Sequence, residues 1–238
     1  TFGVKNYTQD ESYYILDATE NSCVYIGLKE GIDKEAMIAD LEAANRGEIM
    51  FDAEKYVNKI PVKKHDHVLI PAGTVHCSGK DTHVLEISVT PYIFTFKLWD
   101  WGKIGLDGLP RPVHINHGKK NIKWERDTKW VLNNLIHQEK VLHKDEHCLI
   151  ERTGLHEYEM IDTLRYTFDE NAEITLNDSV AVINLVEGTE AFIKSVDGSW
   201  EPKTMHYCET FVIPAHVKKF IIESPKKETL RVIVATIR

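Results

Sequence analysis

The chain has 238 residues, a size at the boundary between one large domain and two ordinary ones, and 42% hydrophobic residues suffice for a packed core. Its formal net charge of −8 is spread over intermixed acidic and basic residues, which argues against a nucleic-acid partner and against attachment to an anionic membrane. No apolar run reaches the roughly 18 residues a transmembrane helix needs, and the opening residues do not read as a signal leader. Cys23, Cys77, Cys148 and Cys208 form no C-x-x-C pair, so neither a thiolate zinc site nor a disulfide framework is expected, and reduced thiols in a cytoplasm fit best.

In chain order, YYILDA and CVYIGL read as short strands. Asp33 then caps a predicted helix, DKEAMIADLEAANRG, which places Met37, Ile38, Leu41 and Ala44 on one face and ends at Gly47. Strands follow at HVLIPA, HVLEISV and YIFTFKLW, and a second short helix is predicted around Thr128 to Ile136. The remainder, VAVINLV, EAFIKSV, TFVIPA, KFIIES and LRVIVATI, is again β-rich, which favours a sandwich or barrel. The fold class is all-β with a small helical insertion.

Laid on itself, the chain repeats: CVYIGL matches EAFIKS loosely, and DHVLIPAGTVH matches ETFVIPAHVKK more closely. This predicts two related barrel units. Residues 1–116 form the first, with the helical insertion at 33–47; residues 117–150 connect; residues 151–238 form a degenerate second unit. Where the first unit has Gly73 and His76, the second has His216 and Lys219. An ammonium group is a poor metal ligand, so any histidine chemistry belongs to the first unit.

The turn P-x-G-x-x-H after the apolar strand Val68–Ile70 resembles the second motif of the cupin fold, a double-stranded β-helix, with His65 in the position where that motif starts with glycine. From that place His65 is expected to point to solvent. The match is longer than one turn. QDESYYILDA resembles K-T-E-C-W-Y-x-L-D of class I mannose-6-phosphate isomerases, IPAGTVH their P-A/S-G-T-x-H, VLEIS their V-L-E-x-Q, and FKLWDWGKIGLDGLPRPVHI their Y-R-x-Y-D-W/Y…R-x-L-H-I. YCETFVIPA is similar to their C-terminal barrel.

The resemblance implies that Glu11 and His76 are metal ligands, that the metal is zinc, and that two further ligands from a Q-x-H segment precede Thr1, so that the chain belongs to something longer. Glu86 then falls near the sugar pocket as a proton carrier. Lys97 stands where the family commonly has an arginine, keeping the charge but losing the planar fork, and Arg111 takes a basic position suited to phosphate. The implied reaction interconverts mannose 6-phosphate and fructose 6-phosphate through a metal-stabilised enediolate, with a phosphorylated hexose as partner. With two ligands missing, this chain alone is expected to bind metal weakly and to be nearly inactive. The oligomeric state is left open.

Taken without the resemblance, the same residues have plainer readings. Glu11 would be a solvated strand-edge carboxylate, His76 a loop histidine bonded to backbone, Glu86 a structural hydrogen-bonding group in an apolar run, and Lys97 and Arg111 surface charge. His65 and His67 are not expected to be ligands, nor His114 and His117. Trp99, Trp101 and Trp124 read as packing. The rival reading of the whole is a non-catalytic cupin that binds a sugar phosphate as sensor or scaffold.

Overall fold

The computed structural model describes residues 9–89 and 95–238. It clusters into two compact units, Thr1–His137 and Gln138–Arg238. That boundary falls inside the stretch read from sequence as a connection.

The first unit contains β1 (Asp10–Ala18), β2 (Cys23–Leu28), α1 (Lys34–Asn45), α2 (Ala53–Tyr56), β3 (Val57–Pro61), β4 (His67–Ile70), β5 (His76–Ser78), β6 (Thr82–Val89), α3 (Ile115–Gly118) and α4 (Thr128–Asn134). Its strands form two antiparallel sheets, ordered β4-β1-β6 and β3-β2-β5. The second unit contains β7 (Lys140–Lys144), β8 (Cys148–Gly154), β9 (Ile161–Phe168), β10 (Asn171–Thr175), β11 (Ala181–Glu187), β12 (Glu190–Ser195), β13 (Lys203–His206), β14 (Thr210–Ile213), β15 (Lys219–Glu223) and β16 (Leu230–Ile237). These make a four-stranded sheet, β10-β15-β12-β13, and a six-stranded sheet, β14-β11-β16-β9-β8-β7.

The repeat is therefore topological. β1 pairs with β4 and β6 as β11 pairs with β14 and β16, and β2 pairs with β3 and β5 as β12 pairs with β13 and β15. Even the irregularities correspond: the β1–β6 ladder slips between Ile15 and Asp17, and the β11–β16 ladder between Leu185 and Glu187. A shared bulge sets the same local bend in both units.

The predicted helices form where their caps lie. Asp33 accepts from the Ala36 N–H at 2.9 Å, and Asp127 from the Trp130 N–H at 2.9 Å. Met37, Leu41 and Ala44 are buried, joining Tyr25, Phe51 and Tyr56 in the core of the first unit. α1 stops at Asn45, and Gly47 at φ 77° turns the chain away. α4 ends at Asn134, short of Ile136, because Leu135 and Ile136 turn to meet β4: Leu69 N–H donates to the Leu135 carbonyl at 3.1 Å. At Gly27, φ is 65° and an added Cβ would stand 2.2 Å from Val131 Cγ2, so only glycine lets α4 settle on the bulge of β2.

Two strand expectations change. Of YIFTFKLW, the first three residues lie outside the described ones, and residues 95–99 form no strand. Lys97 instead pairs with His114, whose N–H donates to the Lys97 carbonyl at 2.7 Å. Strands β7 to β10 were not read from periodicity; all five residues of β7 are exposed, so no alternation marks it. No helix among the described residues is long and apolar enough to cross a membrane. All four cysteines are free thiols.

Candidate active site

The site is built on the turn that follows β4. Thr74 Oγ1 donates to the Pro71 carbonyl at 2.7 Å, and the Ala72 N–H donates to Asp10 Oδ1 at 2.6 Å. Arg126 Nη1 reaches the carbonyls of Pro71 (2.6 Å) and Ala72 (2.8 Å) and the Thr74 hydroxyl (2.6 Å). Asp10, Thr74 and Arg126 are all buried, so the turn is gripped from both sides away from water.

Gly73 completes it, with φ at 89° and an added Cβ meeting the Asn121 carbonyl oxygen and Lys123 Cγ, each at 2.7 Å. Gly73→Ala is therefore expected to lower stability by about 2–4 kcal/mol, from left-handed strain plus the clash with backbone. Chemical denaturation checks this; a change below roughly 0.5 kcal/mol, the usual effect of a neutral surface substitution, would show the turn to be adaptable.

His76 opens β5 immediately after this turn. Its Nδ1–H donates to the Thr74 carbonyl at 2.8 Å, which leaves Nε2 to meet Glu11 Oε1 in direct contact. Tyr13 packs edge-on to the imidazole, 5.6 Å between centroids. Glu11 is 7% exposed and the His76 side chain 21%. Burial disfavours both charges, yet the hydrogen bond and opposite charge prevail, holding Glu11 below its ordinary value and His76 above its own.

Glu11 has a second set of partners. Gln9 Nε2 donates to Glu11 Oε2 at 3.2 Å and to Glu86 Oε1 at 3.1 Å. Glu86 lies across the ladder from Tyr13, on the strand face that Glu11 shares. Partial burial and then the negative charge of Glu11 push its pKa up. Although it falls in the apolar run VLEIS, Glu86 lies on the exposed side of β6.

Gln9, Glu11, His76 and Lys97 line one cavity of about 350 Å³, together with the aromatic side chains of Tyr25, Phe51, Trp99 and Trp101. Trp99 and Trp124 pack against the core as expected, but Trp101 is 45% exposed at the cavity. Lys97 Nζ lies 3.4 Å from Asp100 Oδ1, and Arg111 Nη1 lies 3.0 Å from Asp100 Oδ2 without hydrogen-bond alignment. Arg111 lines a smaller, separate recess, and Glu86 meets the cavity through Gln9.

His65 does not point to solvent. It adopts φ 74°, the backbone shape that suits a glycine, and its Nδ1 is hydrogen-bonded to the Tyr14 hydroxyl at 2.9 Å. His67, 2% exposed, lies edge-on to Tyr14 at 5.8 Å. Tyr14 faces away from Glu11 in the alternation of β1, so this histidine pair sits behind the site.

The second unit supplies a comparison. Ala181 pairs with Ile213 as Glu11 pairs with Ile70, and Val234 pairs with Ile183 as Glu86 pairs with Tyr13. Lys219, five residues after Pro214 as His76 is after Pro71, is bound to Glu173 at 3.0 Å. The polar cluster is thus confined to one of two equivalent scaffolds. Among the described residues no group of three or more His, Cys, Asp and Glu gathers around a single point, so Glu11 and His76 form a pair.

Sequence reading did not find Gln9, Asp10 or Arg126. Asp10 and Gln9 stand beside Glu11 without any distinguishing pattern, and Arg126 lies in a stretch without periodicity.

No family model matches the chain. It is similar to a mannose-6-phosphate isomerase of Streptococcus mutans, 29% identical over 105 residues, which are 44% of this chain and 30% of that protein. With YvyI of Bacillus subtilis, whose name assigns it to the same enzymes, identity is 22% over 223 residues, 90% of this chain and 60% of that one. The crystal structure of mannose 6-phosphate isomerase from Bacillus subtilis superposes with a TM-score of 0.72 at 20% identity, covering 96% of this chain and 65% of that one. The chain spans less than two thirds of each of these three proteins. The chain is thus similar in sequence to mannose-6-phosphate isomerases, and its two repeated units of one strand order share the fold of the solved one.

Proposed function

We propose that this chain forms part of an aldose–ketose isomerase acting on mannose 6-phosphate and fructose 6-phosphate. The observation that carries the reading is the meeting of Glu11 and His76 Nε2 at a cavity in the first unit, where the equivalent scaffold of the second unit has Ala181 and Lys219.

The pair suits a divalent metal, and zinc in particular. The Thr74 carbonyl fixes the imidazole so that Nε2 faces forward, and a carboxylate oxygen stands beside it. Glu11 and His76 would hold the ion together with donors beyond this pair. A bound ion supplies polarisation of the sugar oxygens. Isomerisation moves a proton between C1 and C2 through an enediolate and needs positive charge near the oxygens and a proton carrier near the carbons. Lys97, on the cavity wall, is assigned the first task. The second falls to Glu86, whose pKa partial burial and the charge of Glu11 push up. Arg111 is the phosphate contact of this reading, and the cytoplasm its setting.

One observation favours the rival reading, a sugar-phosphate sensor: Lys97 and Arg111 both lean on Asp100 and present a shared, partly neutralised charge. Incubation of the complete protein of which this chain is proposed to be part, with mannose 6-phosphate and zinc in deuterium oxide, separates the two. The isomerase incorporates solvent deuterium at the carbon that exchanges its proton, and His76→Ala abolishes this. Binding of the sugar phosphate without exchange would establish the sensor.

A further inference from the structure

We infer that Gln9 is a positioning residue, whose side-chain amide clamps Glu11 and Glu86 so that Glu11 keeps one oxygen free for the shared ion site with His76. The inference rests on the metal-site reading above and adds a residue to it.

A side-chain amide has two N–H donors, and both of those on Gln9 Nε2 are directed to carboxylate oxygens, Glu11 Oε2 at 3.2 Å and Glu86 Oε1 at 3.1 Å. Because both partners are acceptors, the network itself decides which end of the amide faces them. The two carboxylates are brought onto one face by the β1–β6 ladder and would otherwise repel. Glu11 is divided by this bond: Oε2 is committed to Gln9, and Oε1 meets His76 Nε2. Rotation of the carboxylate about its own axis would break both contacts, so Gln9 fixes the direction in which Glu11 presents its ligating oxygen.

The local sequence shows why this task falls to a neutral group. Where the resembling K-T-E motif begins with lysine, this chain has Gln9. The amide orients the carboxylate without neutralising it. Residues that orient metal-ligating carboxylates and histidines from behind commonly change metal affinity by about 10–100-fold when removed.

The test is zinc titration of the chain followed by NMR of the His76 ring and by calorimetry. Wild type is expected to show a zinc-dependent shift of the His76 Nε2 environment. Gln9→Met, of similar length and without donors, is expected to weaken zinc binding by about tenfold or more with the thermal transition unchanged. In a double-variant cycle, Glu86→Leu should weaken binding less in the Gln9→Met background than alone, because the clamp is already gone. Equal zinc affinity for wild type and Gln9→Met, or full additivity with Glu86→Leu, would overturn the positioning role while leaving the metal site intact. No response of His76 to zinc in wild type would overturn the metal site itself, and the clamp with it.

Discussion

Arg126→Met is expected to lower the stability of the first unit by about 2–3 kcal/mol, the upper range for losing hydrogen bonds to a charged donor and leaving buried acceptors less well paired. One guanidinium nitrogen serves two carbonyls and a hydroxyl within the turn, and the substitution removes that donor, leaving the Pro71 carbonyl with Thr74 alone and the part-buried Ala72 carbonyl without it. Methionine fills much of the space, so the loss comes from hydrogen bonding rather than from a cavity. The effect is read by denaturation followed through tryptophan fluorescence, since Trp99, Trp101, Trp124 and Trp130 all lie in that unit. The same variant should broaden the His76 ring signals, because the Thr74 carbonyl that holds the imidazole belongs to the loosened turn. A stability change under about 1 kcal/mol, the value of an ordinary hydrogen bond, would mean that the turn stands without Arg126.

A second large effect should appear as a pH dependence. Glu11 has its folded pKa lowered from 4.5, so its contribution is present above that value and is lost as pH falls through the folded value. His76 has its pKa raised from 6.5, so its contribution is full below that value and is lost as pH rises through the folded value. In chelator-treated protein the difference in stability between wild type and Glu11→Gln is therefore expected to be widest between about pH 4.5 and 6.5, reaching about 3 kcal/mol. Glu86 also faces the pair and is pushed up by burial and by Glu11, so Glu86→Gln is the control in which the window should persist. Ligation requires neutral imidazole, so saturating zinc should move the advantage of wild type to higher pH. Urea denaturation across the pH range measures this, and a difference independent of pH would show that the contact between Glu11 and His76 carries no net charge interaction.

Particular residues show how much was legible beforehand. Asp33 and Asp127 announce their helices because a cap acts within three residues, and the P-x-G-x-x-H turn announces itself because Gly73 must take a positive φ. The doubled strand order was visible as HVLIPA against TFVIPA. Glu86 misled because alternate residues of β6 face opposite sides, and Glu86 and Ser88 fall on the exposed one. His65 misled because its backbone conformation and the direction of its ring are separate matters: φ obeys the local turn, whereas the ring follows Tyr14, far away in the chain.

What the amino-acid order determined alone was everything governed by short range: the caps, the strand-and-turn rhythm, the repeat, and the types of donor atom available at Glu11 and His76. The tertiary structure decided which of those donors meet. Gln9 is joined to Glu86, Arg126 to the turn at Pro71, and Lys97 and Arg111 to one Asp100 by the way strands and loops close on one another. Hydrogen bonds and ion pairs act over a few ångströms in space, whatever the separation along the chain. A polar side chain with no periodic neighbours therefore reveals its partner only once the sheets have brought the two together.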